Sequence, residues 1–449
     1  MNPNFILPGS KIGSQKKFKL TEIMIPGLLF ILFINMTTLF AQDSWPDFRG
    51  PLANGHIVAG DDMPGSIPLH WSESENITWK IEIPHRGWSS PVIMDNQIWI
   101  TTATADGHEY YAICVDAKYG EILYNEKIFH SDSPEPLGNQ MNSYASPSPV
   151  IEAGRVYVHF GSYGTACIDT ESFEILWQRN DLPCRHYRGP GSSPFIYEDF
   201  LILTMDGVDV QYLAALDKTT GETVWRTDRT VDFNDLDANG QPKAEGDFRK
   251  AYTTPIIITV DGKDQLISNG AKAAYSYDPK TGKELWRVQH PDFSGAARAV
   301  YGHGLVYIPT GFLPTWLLAV RPDGEGDITE THIAWNFKQG VSKMPSPLLI
   351  GDNLFWINDD GIAVCLNAKS GERISRTRVG GNFAASPIYA QNRIYCFDRD
   401  GKTTVLKADP LMETLAENEL ESGFMASPAV SSNALILRTE THLYRVESD

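Results

Sequence analysis

The stretch LAALDKTTGETVW, residues 213–225, decides how this chain is read. One apolar run ends in Asp217-Lys218-Thr219-Thr220-Gly221, and a second run closes on Trp225. The phrase returns as AYSYDPKTGKELW at 274–286, AICVDAKYGEILY at 112–124, AVCLNAKSGERIS at 363–375 and, degraded, ACIDTESFEILW at 166–177. A pattern that recurs is an internal repeat, and its residues are interpreted first as architecture. In each copy the Asp or Asn can cap a turn, and in the four full copies the Gly can take a conformation that a side chain forbids. The Trp offers a large apolar surface for packing between units.

A second element lies upstream of each phrase: SSPVI at 89, SPVI at 148, SSPFI at 192, TTPII at 253, PSPLL at 345, ASPIY at 385 and ASPAV at 426, with ARAVY at 297 as a copy that has lost its proline. Seven residues beyond the proline stand Ile98, Val156, Leu201, Leu354, Ile394 and Leu435, and Val306 keeps that register from Ala299. The copy at 253 carries the extra residues VDGKDQ in that turn. Each unit therefore reads as four short strands. Turns such as Asp359-Asp360-Gly361 and Arg399-Asp400-Gly401 join the second strand to the third. Eight units at spacings of 40 to 61 residues predict an all-β fold, an eight-bladed β-propeller of four-stranded antiparallel blades. The last unit stops after its third strand. The segment ENITWKIEI at 75–83, which carries Trp79, is the strand expected to complete it, so that the ring is closed by an N-terminal strand.

Length and composition agree with one array. Of 449 residues 11% are aromatic, with 37 Gly and 28 Pro, as suits many strands and tight turns. At the N-terminus Lys11, Lys16, Lys17 and Lys19 precede an apolar run from Ile23 to Phe40, followed by Ala41 and a polar segment. This pattern predicts a signal peptide over 1–41, a single propeller domain over 42–449 with an insertion loop at about 228–250, and an exported protein, periplasmic or extracellular. There is no lipid-attachment Cys at the expected cleavage point and no second apolar segment long enough to span a bilayer, so no stable transmembrane anchor is expected. The net charge is −18, and −21 once the four Lys and one Glu of the leader are removed. So acidic a chain repels nucleic acid. Cys114, Cys167 and Cys365 share one repeat position, as small core residues do, and with Cys184 and Cys396 they suggest no disulfide framework.

The phrase is similar to the tryptophan-docking repeat Ala-x-Asp-x-x-x-Gly-x-x-x-Trp. Ala215, Asp217, Gly221 and Trp225 fit it in full, and Asp278, Gly282 and Trp286 fit with Ser276 in the Ala position. Over nearly its whole length the chain resembles the PQQ-binding-like β-propeller repeat proteins, and WPDFRGP at 45–51 with RGWSSP at 86–91 looks like the start of secreted bacterial members. That resemblance implies the propeller. It leaves two functions open, because the superfamily holds quinoprotein dehydrogenases, which use pyrroloquinoline quinone (PQQ) and calcium, and cofactor-free scaffolds such as the outer-membrane assembly lipoprotein BamB. Many of the dehydrogenases stack the quinone on a disulfide between adjacent cysteines, and here no two cysteines are adjacent. No Cys-x-x-Cys-His is present for an attached haem. The expectation is a non-catalytic ligand-binding or scaffolding module with envelope protein partners and no cofactor. A PQQ-dependent quinoprotein oxidoreductase and a polysaccharide-associated protein of unlocated activity are the alternatives, and no catalytic residue is identified.

Two candidate sites follow. The segments leading into the innermost strand of each blade should line one mouth of the channel. They contribute Arg86, Trp88, Asn142, Tyr144, His186, Tyr187, Arg188, Arg249, Tyr252, Arg298, Lys343, Phe383 and Phe424. Cationic forks and aromatic faces at one mouth predict a small anionic or carbohydrate ligand, with Arg188 and Arg298 sharing a space across Tyr252. In the insertion, Asp235, Asp237 and Asn239, followed by Gly240, match the opening of a calcium loop, although Gly246 stands where its closing Glu is expected.

Overall fold

Strict alternation along short runs, broken by Gly and Asp turns, allows the chain only hairpins, and each hairpin must bury both faces against its neighbours. The computed structural model describes residues 44–57, 66–139, 141–312 and 314–448. It shows eight antiparallel sheets. Blade 1 runs Val92–Met94, Gln97–Ala103, Glu109–Asp116 and Ile122–His130. The innermost strands of blades 2 to 8 are Val150–Glu152, Phe195–Tyr197, Ile256–Val260, Val300–Gly302, Leu348–Ile350, Ile388–Ala390 and Ala429–Ser431. The eight-bladed propeller expected from the repeat is the observed fold. Blade 4 also gains a two-residue strand, Gly326–Asp327, parallel to its outer strand Glu284–Gln289 and supplied by an excursion of blade 5. The leader lies outside the described residues. Among the described residues no helix is long and apolar enough to cross a membrane.

The apolar clusters lie between blades. Trp99, Cys114 and Tyr110 of blade 1 pack with Val156 and Ile168 of blade 2, and Ile267 and Trp286 of blade 4 pack with Val306 and Leu318 of blade 5. The repeated phrase explains these joints. Asp217 Oδ1 accepts the backbone N–H groups of Thr219 and Thr220, both at 2.9 Å. Gly221 has φ +76, and a Cβ there would stand 2.6 Å from the indole of Trp177, which belongs to the preceding blade. Trp177 Nε1 donates to the Lys218 carbonyl at 3.0 Å, so one turn both seats and hydrogen-bonds the neighbour's tryptophan. Trp225 with Pro279 and Trp335 with Ala368 repeat the bond at 3.2 and 3.1 Å. In the degraded copy Phe173 takes the Gly position at φ +60 and stacks on Tyr124 at 5.3 Å.

Ring closure follows the same rule. Ile77–Glu82 pairs with His442–Val446, the last strand of the chain, in the register Ile77 to Val446 and Glu82 to His442. Trp79 then docks on blade 1, donating to the Ala117 carbonyl at 3.1 Å and covering Gly120. All five cysteines are free and buried.

Candidate site at the channel mouth

In each blade the innermost strand starts at the Ser-Pro element, and at that level the hydroxyls form a belt. The Ser90 N–H donates to Ser148 Oγ, Ser148 to Ser193 and Ser193 to Thr254, at 2.8 to 3.0 Å. On the other side the Arg298 N–H donates to Ser346 Oγ, Ser346 to Ser386, Ser386 to Ser427 and Ser427 to Ser90, at 2.9 to 3.0 Å. Only the junction from Thr254 to blade 5 lacks a hydroxyl, because Arg298 stands there. Its Nε donates to the Pro255 carbonyl at 3.0 Å and its Nη1 contacts Asp47 Oδ1 at 3.1 Å.

Asp47 belongs to the segment that runs from Trp45 to Ile57 through the channel. Trp45 pairs with Ile93 of blade 1, the Pro46 carbonyl accepts from Ile151 of blade 2, and Gly55 and Ile57 pair with Tyr389 of blade 7. Arg49 reaches the carbonyls of Pro347 and Pro387 at 3.0 and 3.2 Å. The WPDFRGP motif is therefore a plug. Above it lies a cup of about 650 Å³ with Phe48 among its lining residues, as are the belt residues Ser90, Ser148, Ser193, Thr254, Ser386 and Ser427. That volume is in the range of small-molecule sites, about 300–1,000 Å³. A second cavity of about 620 Å³ lies between the plug and the inner strands of blades 1 to 5, lined by Leu52, Met94, Ile151, Ile196, Ile256 and Tyr301 among others.

Of the thirteen residues placed at the mouth by sequence, Trp88, Asn142, Arg188, Tyr252, Lys343 and Phe383 line the cup. The others are not among its lining residues. Arg86 lies over the Trp88 ring at 4.7 Å, and the Tyr144 hydroxyl donates to the Glu135 carbonyl at 2.7 Å. His186 is buried and accepts the Ser162 N–H at 3.0 Å. Burial holds its imidazole down at about 4. Tyr187 stacks under Arg188 at 5.2 Å, and Phe424 is buried against Phe397. Arg249 forms a fork on Asp235, at 2.6 and 2.9 Å. Arg298 is fully buried, so the space shared by Arg188 and Arg298 across Tyr252 is not formed: the Arg298 guanidinium is held by Asp47 and by the Phe48 and Pro255 carbonyls.

The insertion builds the cup wall. The Arg249 fork occupies the Asp235 carboxylate and holds it below the usual carboxylate range. Asp237 Oδ1 caps its own turn by accepting from Asn239 and Gln241, both at 2.8 Å. Among the described residues no group of three or more His, Cys, Asp or Glu side chains is placed to hold a metal ion. The short helical turn Lys243–Arg249 then delivers Asp247, Lys250 and Tyr252. Lys250 is buried, with Nζ donating to the Tyr252 hydroxyl and standing 3.3 Å from Asp247 Oδ1. Burial pushes its ammonium down to about 8. Asp247 also contacts Arg188 Nε at 3.5 Å, so one carboxylate serves two cations.

Sequence reasoning missed the far wall. Asp359, Asp360 and Arg399 line the cup from the hairpins between the second and third strands of blades 6 and 7. Strand direction was the available signal: a strand that leaves the mouth and another that returns put this hairpin at the same end as the lead-in segments. Asp359 Oδ2 accepts the Lys343 N–H at 2.8 Å, while its Oδ1 is buried without a partner. Arg399 Nε and Trp88 Nε1 are buried and unpartnered in the same way. Burial raises the Asp359 carboxyl above its ordinary value.

Comparison with known proteins finds likeness to a family profile over part of the chain and to solved propellers in fold. A family profile described as outer membrane protein assembly factor BamB matches residues 209–310 and 271–414. No curated protein matches the chain significantly. Among solved structures, BamB from Moraxella catarrhalis aligns over 82% of this chain and 99% of its own, at 14% identity and a TM-score of 0.55. A europium-containing methanol dehydrogenase aligns over 90% and 91%, at 10% identity and a TM-score of 0.62. The quinohemoprotein alcohol dehydrogenase from Comamonas testosteroni aligns over 93% of this chain and 82% of its own, at 10% identity and a TM-score of 0.62. At such identities the likeness is one of fold. Among the described residues no cysteine lines the cup and no three His, Cys, Asp or Glu side chains gather there, so the adjacent-cysteine stacking and the calcium cage that the resemblance implied have no counterpart among them.

Proposed function

For a chain with the eight-bladed propeller fold and a partial match to the BamB family profile, we propose a non-catalytic binding module, exported to the periplasm or beyond, whose cup takes a small polar ligand and whose rim serves envelope protein partners. The observation that carries this reading is a cup closed below by the chain's own plug and lined by charged side chains of both signs, Arg188, Lys343 and Arg399 with Asp247, Asp359 and Asp360. A concave space with a few convergent polar groups is the usual form of a small-molecule site, and charges on several sides of it favour a polar guest. An anion or a carbohydrate meets that demand. The leader-like pattern of lysines and an apolar run before Ala41 and the profile match support a place in the envelope.

Titration calorimetry against PQQ with calcium, uronates and neutral oligosaccharides tests the reading, together with a dye-reduction assay in the presence of alcohols and sugars. Saturable binding that is lost in Arg188→Ala, without dye reduction, supports a binding module. Dye reduction dependent on PQQ would replace it with an oxidoreductase. If nothing in the panel binds, the cup is structural and the scaffold role alone stands.

A further inference from the structure

The two walls of the cup make different demands on a guest. On the side of blades 3 and 4, Arg188 and Lys250 share the single carboxylate of Asp247, and the Tyr252 hydroxyl is held against the Lys250 ammonium. The belt adds positive charge below. Three guanidiniums, Arg298, Arg49 and Arg438, are buried there. Asp47 contacts Arg298, but Arg49 is held by backbone carbonyls, and Arg438 by the Ser89 hydroxyl and the Ser89 and Thr101 carbonyls. Charges away from water are weakly screened, so these act on the cup although the protein as a whole is strongly negative.

Blades 6 and 7 present the opposite pattern. Asp359, Asp360 and Arg399 line the cup there, and behind its surface Asp359 Oδ1 and Arg399 Nε are buried without partners. The two are tied to neighbouring backbone: the Phe383 N–H donates to the Asp359 carbonyl at 3.0 Å, and the Arg399 N–H to the Asn382 carbonyl at 2.8 Å. A hydroxyl is both donor and acceptor, and adjacent hydroxyls on a rigid ring can satisfy a carboxylate and a guanidinium together. Phe312, 39% exposed, lines the cup beside Lys343 and offers an apolar face for the ring itself.

We propose that the ligand of the cup is an acidic saccharide, its acid group held at Arg188 and Tyr252, with the buried Lys250 ammonium acting through the Tyr252 hydroxyl, and its ring hydroxyls at Asp359, Asp360 and Arg399. This rests on the reading of the cup as a binding site and adds the ligand's chemical class and orientation. A neutral sugar would leave the cationic pole unanswered, and a simple inorganic anion would leave the far wall unpaired.

Matched probes test it on the chain without its leader: trigalacturonate, its methyl ester and the neutral trigalactoside, with a sulfated galactan trimer as a second acid, titrated calorimetrically. The acid forms should bind about tenfold or more tighter than the ester and the neutral trimer, as charge-assisted bonds require. Arg188→Met should erase that preference while leaving ester affinity within about twofold. Asp359→Asn should weaken acid and ester alike. Circular dichroism of each variant confirms the fold, and Lys250→Met provides an independent loss of the acid pole. Equal affinity for acid and ester, or an Arg188→Met variant that keeps the preference, overturns the proposal. Binding of PQQ or another non-saccharide with no binding of any trimer also overturns it while the cup remains a binding site. No binding of any probe removes both readings.

Discussion

At the scale of single residues, the repeat assigns roles that composition hides. Gly221 and Gly262 have nearly the same backbone, φ +76 and +75, but a Cβ at Gly221 meets Trp177 at 2.6 Å, whereas at Gly262 nothing lies within 4 Å. Gly262→Ala should therefore cost only the left-handed backbone term, about 1–2 kcal/mol. Gly221→Ala should cost about 1–3 kcal/mol more, because a rigid indole must shift in a packed joint. Urea denaturation of the two variants measures the difference, and equal losses would mean that the glycine is there for its turn alone. The same scale shows where sequence misleads. Arg298 stands one residue before the position of the missing proline, so it was read as a mouth cation. Its true setting is the Ser or Thr position of the belt, and a long side chain there points its charge to the plug. The hydroxyl belt was not legible as such, since a serine before a proline reads equally well as a turn residue.

At the scale of elements, the strand pattern was legible because blade strands alternate and their turns carry Gly, Asp and Asn. The extra strand Gly326–Asp327 was not, being two residues long and defined only by its neighbour. The insertion looked like a metal loop because its spacing of Asp, Asp and Asn is shared by two structures, a cation cage and a capped turn. Arg249, fourteen residues after Asp235, decides for the fork. The belt joins blades at a level where no tryptophan docks, and its contribution can be measured alone. In Ser386→Ala the Ser346 N–H, now 3.0 Å from the hydroxyl, would be buried without an acceptor. A loss of about 1–3 kcal/mol is expected, read as a lower urea midpoint with unchanged slope. A neutral outcome would mean that the belt is incidental to the strand order.

At the scale of the whole molecule, one stretch of chain before the first blade performs two tasks, of which sequence revealed one. The closing strand was legible because the last unit lacked its fourth strand and ENITWKIEI had the pattern to supply it. The plug was not, because nothing in WPDFRGP states that Asp47 will meet Arg298 inside a ring whose members are separated by hundreds of residues. Both tasks predict that this stretch governs solubility. The strand Ile77–Glu82 covers the open edge of His442–Val446, and Lys80 ties it to Glu73 and Glu421 at 2.8 and 2.7 Å. Without residues 42–83 that edge is bare, blade 8 has three strands, and the cup loses its floor. Unpaired strand edges template association, so the truncated chain should aggregate on refolding. Trp79→Ala keeps the strand but removes its docking on Gly120. It should cost about 3 kcal/mol, the low end of tryptophan-to-alanine losses, because this indole is only partly buried. Size-exclusion chromatography and thermal melting of both forms give the test. A truncated chain that stays monomeric with an unchanged melting temperature would show that the ring holds without the closing strand.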